Sequence, residues 1–581
     1  MINEIKKQRL VFNIGLFVLF LVISIVYVYP FMRTGKIYAA GDFMFQINRI
    51  HELTQDFAHG VFIPRISSYS MNQVGSGINF FYPWISIIPF ALLNLIIKNP
   101  VNSYYVGLIL ENLITLLIAY YSYNHYSQSK KAATLFSLFY FFATYRLYLM
   151  TSQFVLAESL AYMFIPLAFL GFYEVVWGKE NEWILLSLGM TFLIYSHMLT
   201  SALVALIFVL LLIILFKTIN NRKRRLIALC KAAGTCLLLT SIFLIPFFEQ
   251  TLSNKTTASW TGLTLISTPG QMLDNSLKLE PVQTIGLILV IGIIIGLLYF
   301  SKLSGVGKTA FVTGVVVTIL TTSVFPWKLF ESTPINNLQF PYRFLGIASF
   351  LLCIPLTELV LTFIQKKLNR QMFIICFTLL CTLLIGITYY GERGIIKQRL
   401  SLPELSTQLT PKHYLPSYTY GGFIITAKSY DNMLHFYQHN GATDYYPQTA
   451  SAAKYWPKTL SIIEHIAYVN GRAVKFKNMT LSRPNELIFD VSGIANQSKI
   501  DLPVLYYHND QVFNGRNQPI PYSISKRGTI TVKKNSTLRK VKVKYVSSFV
   551  DKLSVMITCI SWVILLIYLI IQFRRKQNVE N

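Results

Sequence analysis

The stretch AAGDFMFQINRIHEL (residues 39–53) follows the first long apolar run and sets Asp42, Arg49, His51 and Glu52 within eleven residues. The chain has 52 Lys and Arg against only 25 Asp and Glu, so two acids this close to a hydrophobic exit stand out. A carboxylate there could take a proton from a hydroxyl, while a neighbouring guanidinium held an anion through its planar fork. Similar groups lie inside or beside other apolar runs: Tyr145, Arg146, Tyr148 and Glu158 in YRLYLMTSQFVLAES, His197 in YSHMLTS, Glu249 after IPFF, and Tyr342 and Arg343 in QFPYRF. Ionisable groups at membrane depth are costly, so such residues are paired or used.

Each candidate also has a plainer role. Asp42 suits the first turn of a helix over FMFQINRIHEL, where acids complement the N-terminal dipole. Arg343, after a proline and among aromatics, suits snorkelling to headgroups. Glu52 and Asp56 read as solvated helix surface, and His51 fits either use. Three apparent motifs are set aside. SGVGKT (304–309) ends like a phosphate loop, but the first glycine of GxxxxGK[ST] would fall at Lys302. His435 and His439 have i, i+4 spacing for a metal without a third ligand. The sequons at Asn254, Asn478, Asn496 and Asn535 matter only in a glycosylating cell.

The elements that must position these groups follow from composition. With 581 residues, 53% of them hydrophobic and 13% charged, the chain reads as a polytopic membrane protein. Its net charge of +27 fits membrane flanks and an anionic neighbourhood better than nucleic acid. The six cysteines fall in or beside apolar runs and form no CxxC spacing, which predicts no disulfide framework. A span needs roughly 20 apolar residues. Clear runs are 11–29, 104–123, 132–149, 159–177, 226–247, 282–300, 308–325, 343–365, 372–390 and 549–572. The run 183–217 would be about 50 Å long as one helix and is split at Tyr195-Ser196-His197 into two passes. The proline-containing run 81–97 reads as a span or a re-entrant segment.

Basic residues favour the cytoplasmic side. If 81–97 does not cross, KKQR (6–9), Lys130-Lys131, Lys179, RKRR (222–225), Lys302, Lys308, QKKLNR (365–370) and RRK (574–576) all fall inside. This gives about twelve spans with both termini cytoplasmic, and an uncleaved first span because no small-residue cleavage site follows VYVYPFMR. Residues 1–390 form the transmembrane unit with an outer loop over 30–103, residues 391–548 lie outside, and 549–581 supply the last span and a basic tail. The outer segment carries twenty-one Lys and Arg against nine Asp and Glu. From 472 on it alternates as strands do (AVKFKNMTL, NELIFDV, GTITVKK, KVKVKYV), with turn signals at Arg483-Pro484-Asn485 and Asn514-Gly515, which predicts a β-sandwich. In this topology the candidate residues collect on the outer face, while the cytoplasmic loops are short and basic.

The pieces GDFMFQINRIHEL, FFYPW, YRLYLMTSQFVLAESLAYMFIPLAFLGFYE (145–174), SHMLTS and QFPYRFLG, together with the segment 502–545, resemble the YfhO-like bacterial membrane proteins of the wider GT-C class of glycosyltransferases. The likeness covers nearly the whole chain. It implies a transferase that moves a sugar from a polyprenyl-phosphate donor to an extracytoplasmic acceptor, such as a teichoic acid, another cell-wall polymer or a glycolipid. In that picture Asp42 is the general base on the acceptor hydroxyl. Arg343, with Arg146, holds the carrier phosphate. Glu158 and His197 line the sugar pocket, and Arg49, His51 and Tyr342 complete the donor-binding set. The resemblance implies no definite cofactor and admits a divalent metal. The sequence departs from the pattern at Gln46, where similar chains often have histidine. Some relatives carry a label referring to 6-pyruvoyl-tetrahydropterin synthase, but no histidine cluster here matches that chemistry. Two rival readings are a transporter or flippase of lipid-linked glycans, consistent with the broken helix, and a non-catalytic wall-assembly scaffold.

Overall fold

The computed structural model describes residues 2–256, 262–365, 370–408, 414–416, 422–438, 441–450, 452–476 and 480–580. His439, Asn478 and the 366–369 part of QKKLNR lie outside the described residues. Among those residues, six helices are long and apolar enough to cross a bilayer: Leu10–Met32, Pro100–Ser127, Leu156–Val176, Pro341–Phe363, Ile374–Leu400 and Phe549–Arg575. A helix meets most of its backbone hydrogen bonds internally, the condition for crossing hydrocarbon. The run 226–247 becomes two helices, Arg222–Leu239 and Ser241–Ser253, bent by 76° at Thr240. The Thr240 hydroxyl donates back to the Cys236 carbonyl at 2.7 Å, and Pro246 removes a donor from the second helix.

Elsewhere the runs break where polar side chains must turn inward. The long run after Trp183 is interrupted at His197, whose φ of −153° and ψ of 108° are extended, between the helices Trp183–Ser196 and Met198–Ile214. The run 132–149 yields a helix only to Phe141. The chain then turns through Thr144–Leu147 and a π-helical turn, Tyr148–Ser152, before Leu156. The run 81–97 gives a helix over Ile88–Ile97 of 10 residues, about 15 Å long against a hydrocarbon core of about 30 Å. All six cysteines are unpaired. SGVGKT is a helix start: the Ser304 hydroxyl accepts from Gly307 N at 2.9 Å and donates to Glu358 at 2.7 Å.

The β-rich region is a two-sheet sandwich. One sheet runs β4 (Arg472–Lys475), β3 (Ile466–Val469), β7 (Lys499–Leu505), β10 (Thr529–Lys533), β9 (Tyr522–Ile524). The other runs β5 (Thr480–Arg483), β6 (Glu486–Asp490), β11 (Lys540–Tyr545), β8 (Asp510–Asn514). Alternate residues of both sheets, among them Leu487, Phe489, Ile500, Leu502, Ile530, Val541 and Val543, meet in one dry core. Asn485, with a φ of +57°, makes the turn between β5 and β6 that Arg483-Pro484-Asn485 predicts.

This sandwich is sewn to the first loop. Strand β1 (Lys36–Ala39) pairs antiparallel with β2 (Phe423–Thr426), with Lys36 opposite Thr426. The Asn485 side chain accepts from Arg65 N at 2.7 Å and Ile66 N at 3.1 Å. Leu505 N donates to the Val74 carbonyl at 2.9 Å. Buried Arg65 pairs with Asp551 at the head of the last span, and the Tyr545 hydroxyl donates to the same carboxylate at 3.3 Å. The molecule is a polytopic helical membrane protein with a C-terminal β-rich region.

Candidate functional site

Asp42 stands at the N-terminus of the helix Phe43–Ala58, and its side chain makes no capping bond. What fixes it is the backbone: Asp42 N donates to the Gln153 carbonyl at 2.8 Å. Gly41, with a φ of +52°, lies so close that a Cβ would collide with that carbonyl. The turn after the π-helical segment therefore sets the position of Asp42, and only glycine permits the approach. Asp42 is exposed to solvent, yet protein surrounds it closely enough to desolvate its carboxylate in part. Crowding pushes its pKa up to about 6, with the Arg343 guanidinium pulling the other way.

Arg343 is nearly buried. Its Nη1 donates to the Leu338 carbonyl at 3.0 Å, its Nε faces Glu158 at 3.8 Å, and its guanidinium lies 5.0 Å from the Phe340 ring centre. Glu158 accepts from the Tyr145 hydroxyl at 2.5 Å and lies within electrostatic reach of both Arg343 and Asp42. Tyr342 stacks on Phe340 at 5.2 Å and meets Tyr148 edge-on at 5.7 Å. Arg49 is tied to Gln46 at 3.2 Å and to the Pro83 carbonyl, and its guanidinium covers Tyr82 at 4.4 Å. His197 bonds the Thr200 hydroxyl at 2.8 Å, and its ring lies 6.0 Å from Tyr82.

Asp42, Glu158, His197, Arg343, Tyr342 and Arg49 thus gather from four distant segments. Arg146 and His51 do not join them. Arg146 is fully buried in a separate cluster, donating to Glu111 at 3.3 Å and to Asn112, with its guanidinium 4.6 Å from the Phe141 ring centre. A cation already committed to an internal acid is poorly placed to meet a carrier phosphate. His51 faces away, toward His435, and crowding holds its pKa down to about 4. The expectation that Glu52 and Asp56 form helix surface fails: they are 1% and 0% exposed. Glu52 accepts from the backbone of Ser68 at 2.7 Å, Tyr69 at 2.9 Å and Ser70 at 2.7 Å, so it organises the loop that folds over the helix. Asp56 has no partner for either oxygen. Burial and the charge of Glu52 push it up to about 9.

The sequence reading missed Asp444, Tyr82 and Tyr445. Asp444 comes from the segment ahead of the sandwich, where crowding and the charge of Asp42 raise it to about 7. Its neighbour Tyr445 stacks on Phe81 at 5.2 Å, and its carbonyl accepts from the Tyr507 hydroxyl at 2.9 Å. Gly441 presses on Phe45. Polar, loop-borne and 400 residues from Asp42, Asp444 has no local signal to mark it, whereas Tyr82 lies in the FFYPW piece already noted. Among the described residues no three His, Cys, Asp or Glu side chains gather as a metal site would need.

The geometry defines a polytopic helical membrane protein whose first loop, helix ends and the segment ahead of the sandwich bring Asp42, Glu158 and Arg343 within electrostatic reach of one another. The chain belongs to the family described as 6-pyruvoyl-tetrahydropterin synthase related domain, membrane protein, whose model matches residues 80–392. A solved structure, the cryo-EM structure of the arabinofuranosyltransferase AftD from mycobacteria, is similar over 65% of this chain at 13% identity, with a TM-score of 0.40. The chain spans 27% of that longer protein. No curated protein matches.

Proposed function

We propose that the chain is a GT-C-type membrane glycosyltransferase that moves a sugar from a polyprenyl-phosphate donor to an acceptor outside the cytoplasm, such as a wall polymer or glycolipid. The observation that supports this reading is the gathering of Asp42, Glu158 and Arg343 from distant segments, with Asp42 accessible, its pKa raised toward neutrality, within the field of Arg343. In this reading Asp42 takes the proton from the acceptor hydroxyl as oxygen attacks the anomeric carbon. The bond from that carbon to the phosphate oxygen breaks, and Arg343 stabilises the charge left on the phosphate. Glu158 holds Arg343 in place, and His197 and Tyr82 line the side toward the sugar. Asp444, within electrostatic reach of Asp42, orients the acceptor. An isoprenoid tail would leave between helices, so the site belongs at the bilayer edge. The YfhO-like resemblance points the same way.

The test is Asp42→Asn in vesicles supplied with a polyprenyl-phosphate sugar and an outer acceptor. A lost general base costs about 10²–10⁴-fold in rate. Transfer at the wild-type rate, with protein levels unchanged, overturns the assignment. A flippase remains the second reading because the helix is interrupted at His197. It predicts donor translocation that survives Asp42→Asn.

A further inference from the structure

Three of the segments that carry the Asp42 site lead away from it to a cavity. Glu158 and Tyr173 lie on the apolar segment Leu156–Val176, His197 immediately precedes the helix Met198–Ile214 that carries Leu211, and Arg343 stands in the turn that opens the helix carrying Ile354. Tyr173, Leu211 and Ile354 line the same space, of about 490 Å³. It lies between six helices and is walled mainly by apolar and aromatic side chains, including Tyr123, Phe136, Phe169, Phe172 and Phe350. The size is within the roughly 300–1,000 Å³ of ligand sites, while the lining offers mostly hydrocarbon contact.

The rim is of opposite character. Basic residues adjoin the lining along the chain: Lys179 follows Trp177, Lys217 precedes Thr218 and Arg222 follows it, Lys302 and Lys308 flank Gly305 and Val306, and Lys130 opens the helix that carries Phe136. Several lie along aromatic rings in the manner of snorkelling cations: Lys302 Nζ is 4.9 Å from the Tyr299 ring centre, Arg222 4.5 Å from that of Phe216, and Lys130 4.3 Å from that of Phe12. Glu180 and Glu182 also stand on this rim, but the two acids nearest the cavity are engaged. Glu174 accepts from Lys179 N at 2.8 Å and faces His125 at 3.5 Å. Glu358 accepts from the Ser304 hydroxyl and backbone. An apolar chamber below a cationic collar matches a molecule with a hydrocarbon tail and an anionic head.

We infer that this cavity is a lipid site. It takes one acyl chain of an anionic phospholipid, whose phosphate rests among the lysines and arginines of the rim. The site is separate from the Asp42 site and stands whether or not the transferase reading does.

The full-length protein, reconstituted in phosphatidylcholine vesicles, is irradiated with a minor fraction of phosphatidylglycerol bearing a photoreactive group near the end of one acyl chain. Label is expected on peptides containing Phe169–Tyr173 and Phe350–Ile354. It should fall about tenfold, equivalent to about 1.4 kcal/mol, when the phosphatidylcholine analogue replaces the probe. Ala310→Trp, which fills the cavity, should abolish labelling of those peptides. If that variant does not fold, the Lys302→Gln, Lys308→Gln double variant decides, by losing the preference for phosphatidylglycerol. The inference is overturned by equal labelling from both analogues, by label confined to lipid-facing helices such as Phe549–Arg575, or by displacement with undecaprenyl phosphate but not with unlabelled phosphatidylglycerol.

Discussion

A carboxylate that removes a hydroxyl proton works best when its own pKa nears the operating pH, and the proposed base, Asp42, is raised to about 6. The base must be ionised, so transfer should rise with pH through an acidic limb near 6 in kcat/KM. Because the Arg343 guanidinium lowers the pKa of Asp42, Arg343→Ala should move that limb to higher pH and weaken binding of the polyprenyl-phosphate donor. An unmoved limb and unchanged donor affinity together would remove Arg343 from the site. The same crowding has a cost in stability. The folded-state pKa lies above the ordinary 3.8, so the ionised form opposes folding at neutral pH. Asp42→Asn should therefore melt no lower than wild type in detergent while losing transfer, which separates a functional defect from a folding one.

The helix Phe43–Ala58 shows how an element is held by both its ends and its faces. At its start, Gly41 lies against the Gln153 carbonyl at a φ of +52°. Gly41→Ala should displace Asp42 and cut kcat by about 100-fold, the scale expected when a reacting group moves by about an ångström, with only a modest change in donor affinity. On its buried face, Glu52 collects the backbone donors of Ser68, Tyr69 and Ser70. Glu52→Ala leaves those donors buried and unsatisfied, each at about 1–3 kcal/mol, so a lowered melting temperature and faster proteolysis of the first loop are expected. Asp56 acts in the opposite sense. Its folded pKa of about 9 against 3.8 means that stability falls as pH rises between those values, and Asp56→Asn should flatten that decline.

At the scale of the molecule, the sandwich and the bundle are joined through buried charge. Arg65 and Asp551 are 2% and 1% exposed at the side chain. Removing one partner of such a pair costs about 3–5 kcal/mol because the other is stranded, whereas replacing both with apolar groups of similar volume is often near neutral. Arg65→Ala should thus expose β3–β11 to protease, while the Arg65→Met, Asp551→Leu pair should be protected almost as wild type. Intact protection in Arg65→Ala would show that the other contacts, among them the Asn485 bonds and the Leu505–Val74 bond, hold the two parts together without the ion pair.

Hydropathy and alternation are local properties, and what depends on them was legible in the chain: the long apolar helices, the break at His197, the strands β6, β10 and β11, and the turn at Arg483-Pro484-Asn485. The marks of Asp42, Glu158, His197 and Arg343 were legible too, because a charge beside an apolar run is conspicuous wherever it folds. What the sequence could not determine is which of those charges face one another. Arg146 lies two residues before the π-helical turn Tyr148–Ser152, yet its side chain turns to Glu111. Glu52 lies ten residues from Asp42, yet it binds a loop. Asp444 arrives from 400 residues away without any local sign. A side chain's partner depends on how distant helices and loops pack, and the desolvation that sets its pKa depends on that packing as well. The chain by itself therefore determined the elements and the candidates, and only the tertiary structure decided which candidates lie together, because side-chain partners depend on packing between distant segments.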